Sequence, residues 1–503
     1  MPRYLPCPGQ EPQEQNNNQM NIKVISRNVG YALLVSALFM FLSILVSVAN
    51  GNDSALAALM ISFALTFTVG IFPFIFVRKT TAISLKDGYM IIVLSWLLSF
   101  VFGMLPYALW GGPFTIVNAW FESVSGFTTT GASILGDVES LPNSLLFWRS
   151  STHFIGGLGV VIFLLLIIPS SSQMKLRLTN LELSSLSKRE YRSGSSRTVY
   201  IFTYVYFGMA VASFLMYLLA GMSPFDAINH AMSVTATGGF STKNLSIGSF
   251  NSVPIDLITM FFMLLSSVHF GMIYVAIITR SLKPFKNEIF MYYLWILLTA
   301  SIVVSVSLKV QGVEQAWSQA ILSGTFHVFS YASTSGFGIG DNSTWPFLPS
   351  VMLVFVGITC GMAGSTTGGI KSDRMLLLSK QVFFRLKTIL HPASVNEVRV
   401  NGRLVRQEDI WPHILYIALY LILIVFSLAV NLILNPHDSN AVAATFTSLS
   451  NVGPSIGELG AVCNFGAEPV GAKLMYTLDM FLGRVEIYPV LAVAMLIFGK
   501  SSK

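Results

Sequence analysis

Four short runs of hydroxyl and small residues, each closing on glycine, are the residues of this chain whose types and spacing could do chemistry. They read Thr128-Thr129-Thr130-Gly131, Thr235-Ala236-Thr237-Gly238, Ser333-Thr334-Ser335-Gly336 and Ser450-Asn451-Val452-Gly453. The side chains vary between copies while a glycine keeps its place, so the shared resource is the main chain. A ring of main-chain carbonyls can replace the hydration shell of a cation. Glycine allows the positive φ that turns successive carbonyls the same way, and it keeps side chains off the axis. The expected coordinating residues are Thr129, Thr130 and Gly131; Ala236, Thr237 and Gly238; Thr334, Ser335 and Gly336; and Asn451, Val452 and Gly453. The competing reading, that such runs only let helices pack closely, explains one copy more easily than four in phase.

Two further features stand out. Residues 361–369, Gly-Met-Ala-Gly-Ser-Thr-Thr-Gly-Gly, interrupt an otherwise apolar segment with small, flexible residues. A phosphate-binding loop would need Lys directly after the closing glycine, but Ile370 stands there and no strand precedes it, so a nucleotide site is rejected. A simple helix kink is the plainer alternative. The second feature is Arg484, deep in an apolar stretch. An unpartnered Arg at mid-membrane costs about 2.5–3.5 kcal/mol on insertion scales, so it must face water or a partner, with Glu486 and Asp479 the nearest acidic candidates.

The elements that position these residues are membrane spans. Hydrophobic residues make up 53% of the chain, charged residues only 11%, and the mean hydropathy is +0.67; a soluble domain carries about 25% charged residues. The glycines at 131, 238, 336 and 453 recur roughly every hundred residues, which marks an internal repeat. Spans of the roughly 20 residues a bilayer requires are expected at 30–49 and 55–77. Four units of span, pore helix, strip and span follow, giving ten crossings. The expected boundaries are 1–27 for a disordered cytoplasmic tail, 28–80 for two leading helices, and 88–170, 198–281, 288–390 and 410–499 for the repeats. Spans 255–279 and 470–498 read as uninterrupted. No cleavable signal peptide is evident, and the three cysteines are too scattered for a disulfide framework or a zinc site.

Charge orients the chain. With the N-terminus inside, 25 of the 30 basic residues fall on the cytoplasmic side, leaving Arg149, Lys243, Lys309 and Lys473 outside and Arg484 within a span. That bias follows the positive-inside rule and puts all four strips near the outer face. The net charge of +7 therefore reflects membrane topology, not nucleic-acid binding.

With these motifs in hand, TTTGAS, TATGGFST, STSGFGIGD and SNVGPSIGELG, together with GSTTGGIK and LGRVEIYPVL, the chain resembles the Trk/Ktr/HKT superfamily of potassium uptake proteins over about residues 20–500. The two leading helices make the TrkH/TrkG branch the most similar. The resemblance implies potassium as the transported ion at the filter residues and no organic cofactor in this chain. It implies a homodimer in the bacterial inner membrane and a cytosolic, TrkA-like nucleotide-binding subunit as regulator. It also implies that the segment of Gly364, Ser365, Thr366, Thr367, Gly368, Gly369 and Lys371 obstructs the pore below the filter, with Arg484 as an electrostatic barrier beside it. Sodium-favouring relatives carry Ser at the first glycine, whereas this chain has Gly131. Ser455 departs from the pattern, which usually has glycine there.

The expected fold is thus all-α and integral to the membrane, with two leading helices and four pseudo-repeats around one pore. The expected function is potassium uptake through a gated selective pore; a proton- or sodium-coupled symporter is the alternative, and an enzyme is excluded for want of any acid/base or metal constellation. Asp137, Glu139, Asp341 and Glu458 could concentrate cations at the outer mouth. Glu122, inside the first pore helix, reads as a buried partner of backbone or a basic group. His153, His230, His269 and His327 read as packing or hydrogen-bonding residues. The basic stretches 175–197 and 385–406 are expected docking surfaces for the regulator.

Overall fold

A computed structural model describes residues 20–77, 84–167, 195–392, 397–436, 440–455, 460 and 464–498. Residues 1–19 of the expected tail at 1–27, most of the basic stretch 175–197, and Glu458 lie outside the described residues, while residues 22–27 of that tail are already helical.

The chain opens with α1 (Ile22–Ala49) and α2 (Leu56–Phe76), packed along one another. Asp53, in their connection, ties this hairpin to the first repeat. Its carboxylate accepts from Ser47 Oγ at 2.6 Å, Ser144 Oγ at 2.8 Å and Ser144 N at 3.1 Å. The first repeat comprises α3 (Leu85–Gly103), α4 (Leu105–Trp110), the pore helix α5 (Ile116–Phe127) and α6 (Asn143–Ile167). The second has α7 (Ser195–Leu219), the pore helix α8 (Pro224–Ala236), α9 (Val253–Ser267) and α10 (Phe270–Thr279). The third has α11 (Glu288–Val310), the pore helix α12 (Trp317–Ala332), α13 (Phe347–Ile358) and α14 (Ser372–Leu390). The fourth has α15 (Gln407–Leu434), the pore helix α16 (Ala441–Ser450), α17 (Val470–Val485) and α18 (Ile487–Phe498). Two short 3-10 turns (Ser246–Phe250 and Lys283–Lys286) and two two-residue ladders are also present: β1 (Thr359–Cys360) parallel to β2 (Ile370–Lys371), and β3 (Arg399–Val400) antiparallel to β4 (Arg403–Leu404).

Among the described residues, six helices are long and apolar enough to span a bilayer. Two expected spans are not single helices: α9 and α10 meet at 104°, and α17 and α18 at 109°. This corrects the uninterrupted reading of 255–279 and 470–498. The physical reason is backbone satisfaction. Irregular main chain at membrane depth survives only where protein or water meets its polar groups. At the first break Met362 N donates to Ser267 O at 2.8 Å, Thr366 N to Ser266 O at 3.3 Å, and Phe270 N to Gly364 O at 3.0 Å. The break in the second repeat and the 361–369 interruption in the third thus satisfy each other.

The first two pore helices have local start signals. Thr115 Oγ accepts from Asn118 N at 3.3 Å, and Ser223 Oγ from Asp226 N at 3.1 Å, with Pro224 at the first helical position. An aromatic core grips the first of them. Phe100 meets Trp120 edge-on at 5.9 Å and Phe481 at 5.6 Å, so the first and fourth repeats lock together beside α5.

Candidate functional site

All four pore helices end in the same way, and this makes the strips. One or two residues past each helix the backbone turns left-handed: Thr237 (φ 56) and Asn451 (φ 58) follow directly, while Thr129 (φ 52) and Thr334 (φ 53) follow a right-handed cap at Thr128 and Ser333. The next N–H reaches back to a helix carbonyl at 2.9 Å: Thr130 to Ser125, Gly238 to Ser233, Ser335 to Ser330 and Val452 to Thr447. This is the Schellman pattern of helix termination. Glycine is the usual residue at its left-handed position, and for β-branched threonine that conformation is a genuine outlier. Three strained threonines at equivalent points are the kind of stored strain that clusters at functional sites.

The common geometry corrects the register of the second strip. The glycine two residues beyond each left-handed residue again has positive φ: Gly131 (82), Gly239 (85), Gly336 (70) and Gly453 (86). The equivalent of Gly131 is therefore Gly239, and the second strip's triplet is Thr237, Gly238 and Gly239 instead of Ala236, Thr237 and Gly238. Ala236 is the last residue of the pore helix. Two adjacent glycines made the choice ambiguous in sequence; the position of the helix cap resolves it.

These glycines close a ring. A Cβ on Gly131 would lie 2.0 Å from Gly238 O, one on Gly239 2.1 Å from Ser335 O, one on Gly336 2.4 Å from Val452 O, and one on Gly453 2.1 Å from Thr130 O. Each strip thus presses against a carbonyl of the next, and the fourth returns to the first. Asn451 seals that last junction, its Nδ2 donating to Thr130 Oγ at 3.0 Å and to Met480 O at 2.8 Å. Side chains of the strips are fully buried. The C-terminal, partly negative ends of four helices converge on the same small volume, which favours a cation there.

The 361–369 interruption sits directly against this ring. The β1–β2 ladder pinches its two ends together, and Asp373 accepts from Ala363 N at 2.9 Å. Thr237 Oγ donates to Thr366 O at 3.0 Å, and Gly368 N donates to Thr334 Oγ at 3.0 Å. A Cβ on Gly368 would meet the Asn451 side chain at 2.8 Å. So the left-handed residues of strips two, three and four all touch the loop. Thr366 Oγ also reaches Thr235 O at 3.2 Å. Ser365 and Thr367 bond each other through their hydroxyls at 2.8 Å, and Gly369 takes positive φ where the loop turns into β2. Lys371 donates from Nζ to Thr367 O and, at 3.0 Å, to Thr367 Oγ.

Arg484 lies against the loop. It donates from Nη1 to Thr366 O at 2.5 Å and from Nη2 to Gly156 O at 3.3 Å. The carboxylate pairing considered for it does not form. Glu486 instead pairs with Arg374 at 2.7 Å, and Arg374 lies 3.8 Å over the Tyr416 ring. Asp479 accepts from Ser427 Oγ. A buried guanidinium therefore directs its charge to loop and helix carbonyls beside the ring.

Residues 55–502 match the family described as TrkH, cation transport protein. The chain belongs to the TrkH family. Relatives include the Trk system potassium uptake protein TrkH of Halomonas elongata, 30% identical over 94% of this chain and 98% of that one. Another is the Trk system potassium uptake protein TrkG of Escherichia coli K12, 31% identical over 96% of this chain and 100% of that one. The crystal structure of the potassium transporter TrkH from Vibrio parahaemolyticus superposes with a TM-score of 0.86 at 28% identity, covering 96% of this chain and all of that one. The all-α, four-repeat membrane fold is thereby that of TrkH transporters, which are not enzymes.

The remaining candidate residues sort by contact. Among the described residues no group of three or more His, Cys, Asp and Glu could hold a metal ion. Asp137 and Glu139 are engaged with Asn244, at 2.9 Å to Asp137 Oδ1 and 3.1 Å to Glu139 Oε1, so they join repeats one and two. Asp341 caps its own turn through Ser343 N at 2.8 Å. His230 bonds Asp226 O and Ser241 Oγ, both at 2.8 Å, while His269 accepts from Gly271 N at 3.0 Å and His327 bonds Ser323 O at 2.9 Å. Sequence reasoning counted Arg149 only among the basic residues on the outer side and gave it no role; it is buried in α6 and is the basic partner of Glu122, at 2.8 Å. The available signal was its place within an apolar run, 27 residues beyond the one acidic residue of the first pore helix. The buried Arg374, with its half-buried partner Glu486, was also missed.

Proposed function

We propose that this TrkH-family chain carries potassium across the bacterial inner membrane, into the cell, through the ring of strips. The backbone carbonyls of residues 129–131, 237–239, 334–336 and 451–453 replace the water around a dehydrated potassium ion. Lys and Arg placement sets the strips near the outer face and the loop toward the cytoplasm. The loop of Gly364 to Gly369, with Lys371 and Arg484, blocks the inner side of the filter and is the gate. Its displacement is controlled by a cytosolic, TrkA-like nucleotide-binding subunit, for which the basic hairpin around Arg399 and Arg403 is a docking surface, and the working unit is a homodimer.

The observation that carries this reading is the cyclic contact of Gly131, Gly239, Gly336 and Gly453 with carbonyls of the neighbouring strip. Four non-adjacent segments press backbone on backbone only if a common axis organises them. The test is flux of rubidium, potassium and sodium into proteoliposomes with gradients clamped. The wild type should favour potassium and rubidium over sodium, and Gly131→Ser should admit more sodium. An unaltered ion preference in the folded variant would remove the ring from the selectivity step.

A further inference from the structure

The ring has an asymmetric brace. Seven residues before each left-handed residue, on the same turn of each pore helix, stand Glu122, His230, His327 and Ala444. In the first two repeats this side chain bonds a serine four residues beyond the left-handed residue, where the strip leaves the filter. Glu122 accepts from Ser133 Oγ at 3.0 Å and from Ile134 N at 3.1 Å; His230 bonds Ser241 Oγ at 2.8 Å. The fourth repeat has only a methyl group there. The first adds a full charge pair, with Arg149 and Glu122 both buried and 2.8 Å apart.

Arg149 does more than neutralise Glu122. Its Nη2 donates to Ser133 Oγ at 3.2 Å, on the exit of strip one. Its Nη1 donates to Ser241 O at 3.3 Å, on the exit of strip two. Its guanidinium lies 4.0 Å over the ring of Phe240, which stacks on His153 at 4.0 Å. One planar fork thus holds two strips that the sequence separates by more than a hundred residues. No comparable ion pair among the described residues links another pair of strips. We infer that Glu122 and Arg149 are positioning residues for selectivity: they never touch the ion, but they set the separation of strips one and two and hence the fit of the carbonyl ring to potassium. This rests on the proposed filter. A buried pair is weak evidence for stability on its own, because desolvation offsets much of the attraction, but a fork fixed at both ends specifies a distance. Arginine suits this use, since its rigid donors reach several acceptors at once and lysine presents a single point charge.

The test compares wild type, Glu122→Gln and Arg149→Lys by rubidium and sodium flux in proteoliposomes, with thermal stability measured alongside. Arg149→Lys keeps the neutralising charge beside Glu122 but cannot serve both strip exits, so it should fold. Its rubidium-to-sodium ratio should fall by about tenfold, as for a site whose supporting shell has been loosened. Glu122→Gln should shift the ratio in the same direction, and the double variant Glu122→Gln/Arg149→Lys should not restore it. A folded Arg149→Lys protein with the wild-type ratio overturns the inference. So does failure of both single variants to fold, which would make the pair purely structural. If the wild type itself does not discriminate rubidium from sodium, the filter assignment fails and not the brace alone.

Discussion

Replacing Gly131 by serine tests the ring most directly, because its geometry supplies the magnitude. The backbone there sits at φ 82, which costs a residue with a Cβ about 1–2 kcal/mol. The new Cβ would lie 2.0 Å from Gly238 O, whereas ordinary contact begins at 3.4 Å. The obstacle is backbone of the adjoining strip, itself braced by Ser233 at 2.9 Å, so no side chain can swing aside to relieve it. Strip two must retreat, and a carbonyl of the ring moves with it. A preference for one alkali ion over another changes tenfold for each ~1.4 kcal/mol of differential stabilisation, so a displacement on this scale should cost about tenfold or more in the rubidium-to-sodium ratio. Gly239→Ser should match it, since it is the structural equivalent, with a Cβ 2.1 Å from Ser335 O. Gly340→Ala is the control: nothing lies within 4 Å of its Cβ, and flux and selectivity should be unchanged. The assay is initial-rate flux into proteoliposomes at matched protein density. If Gly131→Ser and Gly239→Ser fold and both retain the wild-type ratio, the carbonyl ring does not select the ion.

Arg484→Gln should raise basal flux of rubidium, since it removes a charge that lies against Thr366 O of the loop and Gly156 O; unchanged flux would count against a barrier role. Thr237→Val and Thr334→Val each remove one loop-to-filter hydrogen bond, worth about 0.5–1.5 kcal/mol. Both should increase the fraction of time the pathway is open in the absence of any regulator, read as higher rubidium flux; flux no higher than wild type in the folded variants would count against loop contacts holding the pathway shut. Glu486→Gln leaves Arg374 buried without its carboxylate, a loss on the order of 3–5 kcal/mol. A lower thermal midpoint is expected, and an unchanged midpoint would show that the Tyr416 ring alone suffices to hold the guanidinium.

Much of the fold and part of the site was legible in the chain itself. Low charge, long apolar runs and the recurrence of hydroxyl–glycine strips determine an integral membrane protein of four like units, because lipid tolerates few charges and irregular backbone must be sheltered. Gly131, Gly336 and Gly453, the loop 361–369 and Arg484 could be named from residue type and spacing alone, since each violates the apolar pattern around it. What only the tertiary structure decided are properties of contact between distant segments. The second strip's register depends on where a helix cap forms, and Gly238 and Gly239 look alike until that cap is placed. The bends near Val268 and Glu486 exist because another segment meets the freed backbone or side chain; nothing in the local pattern separates them from a continuous span. An apolar run around Arg149 hinted at burial, but its partners Glu122, Ser133 and Ser241 lie on other segments and could be assigned only in the fold. Local sequence sets which groups need partners; folding of the whole chain settles which partners they find.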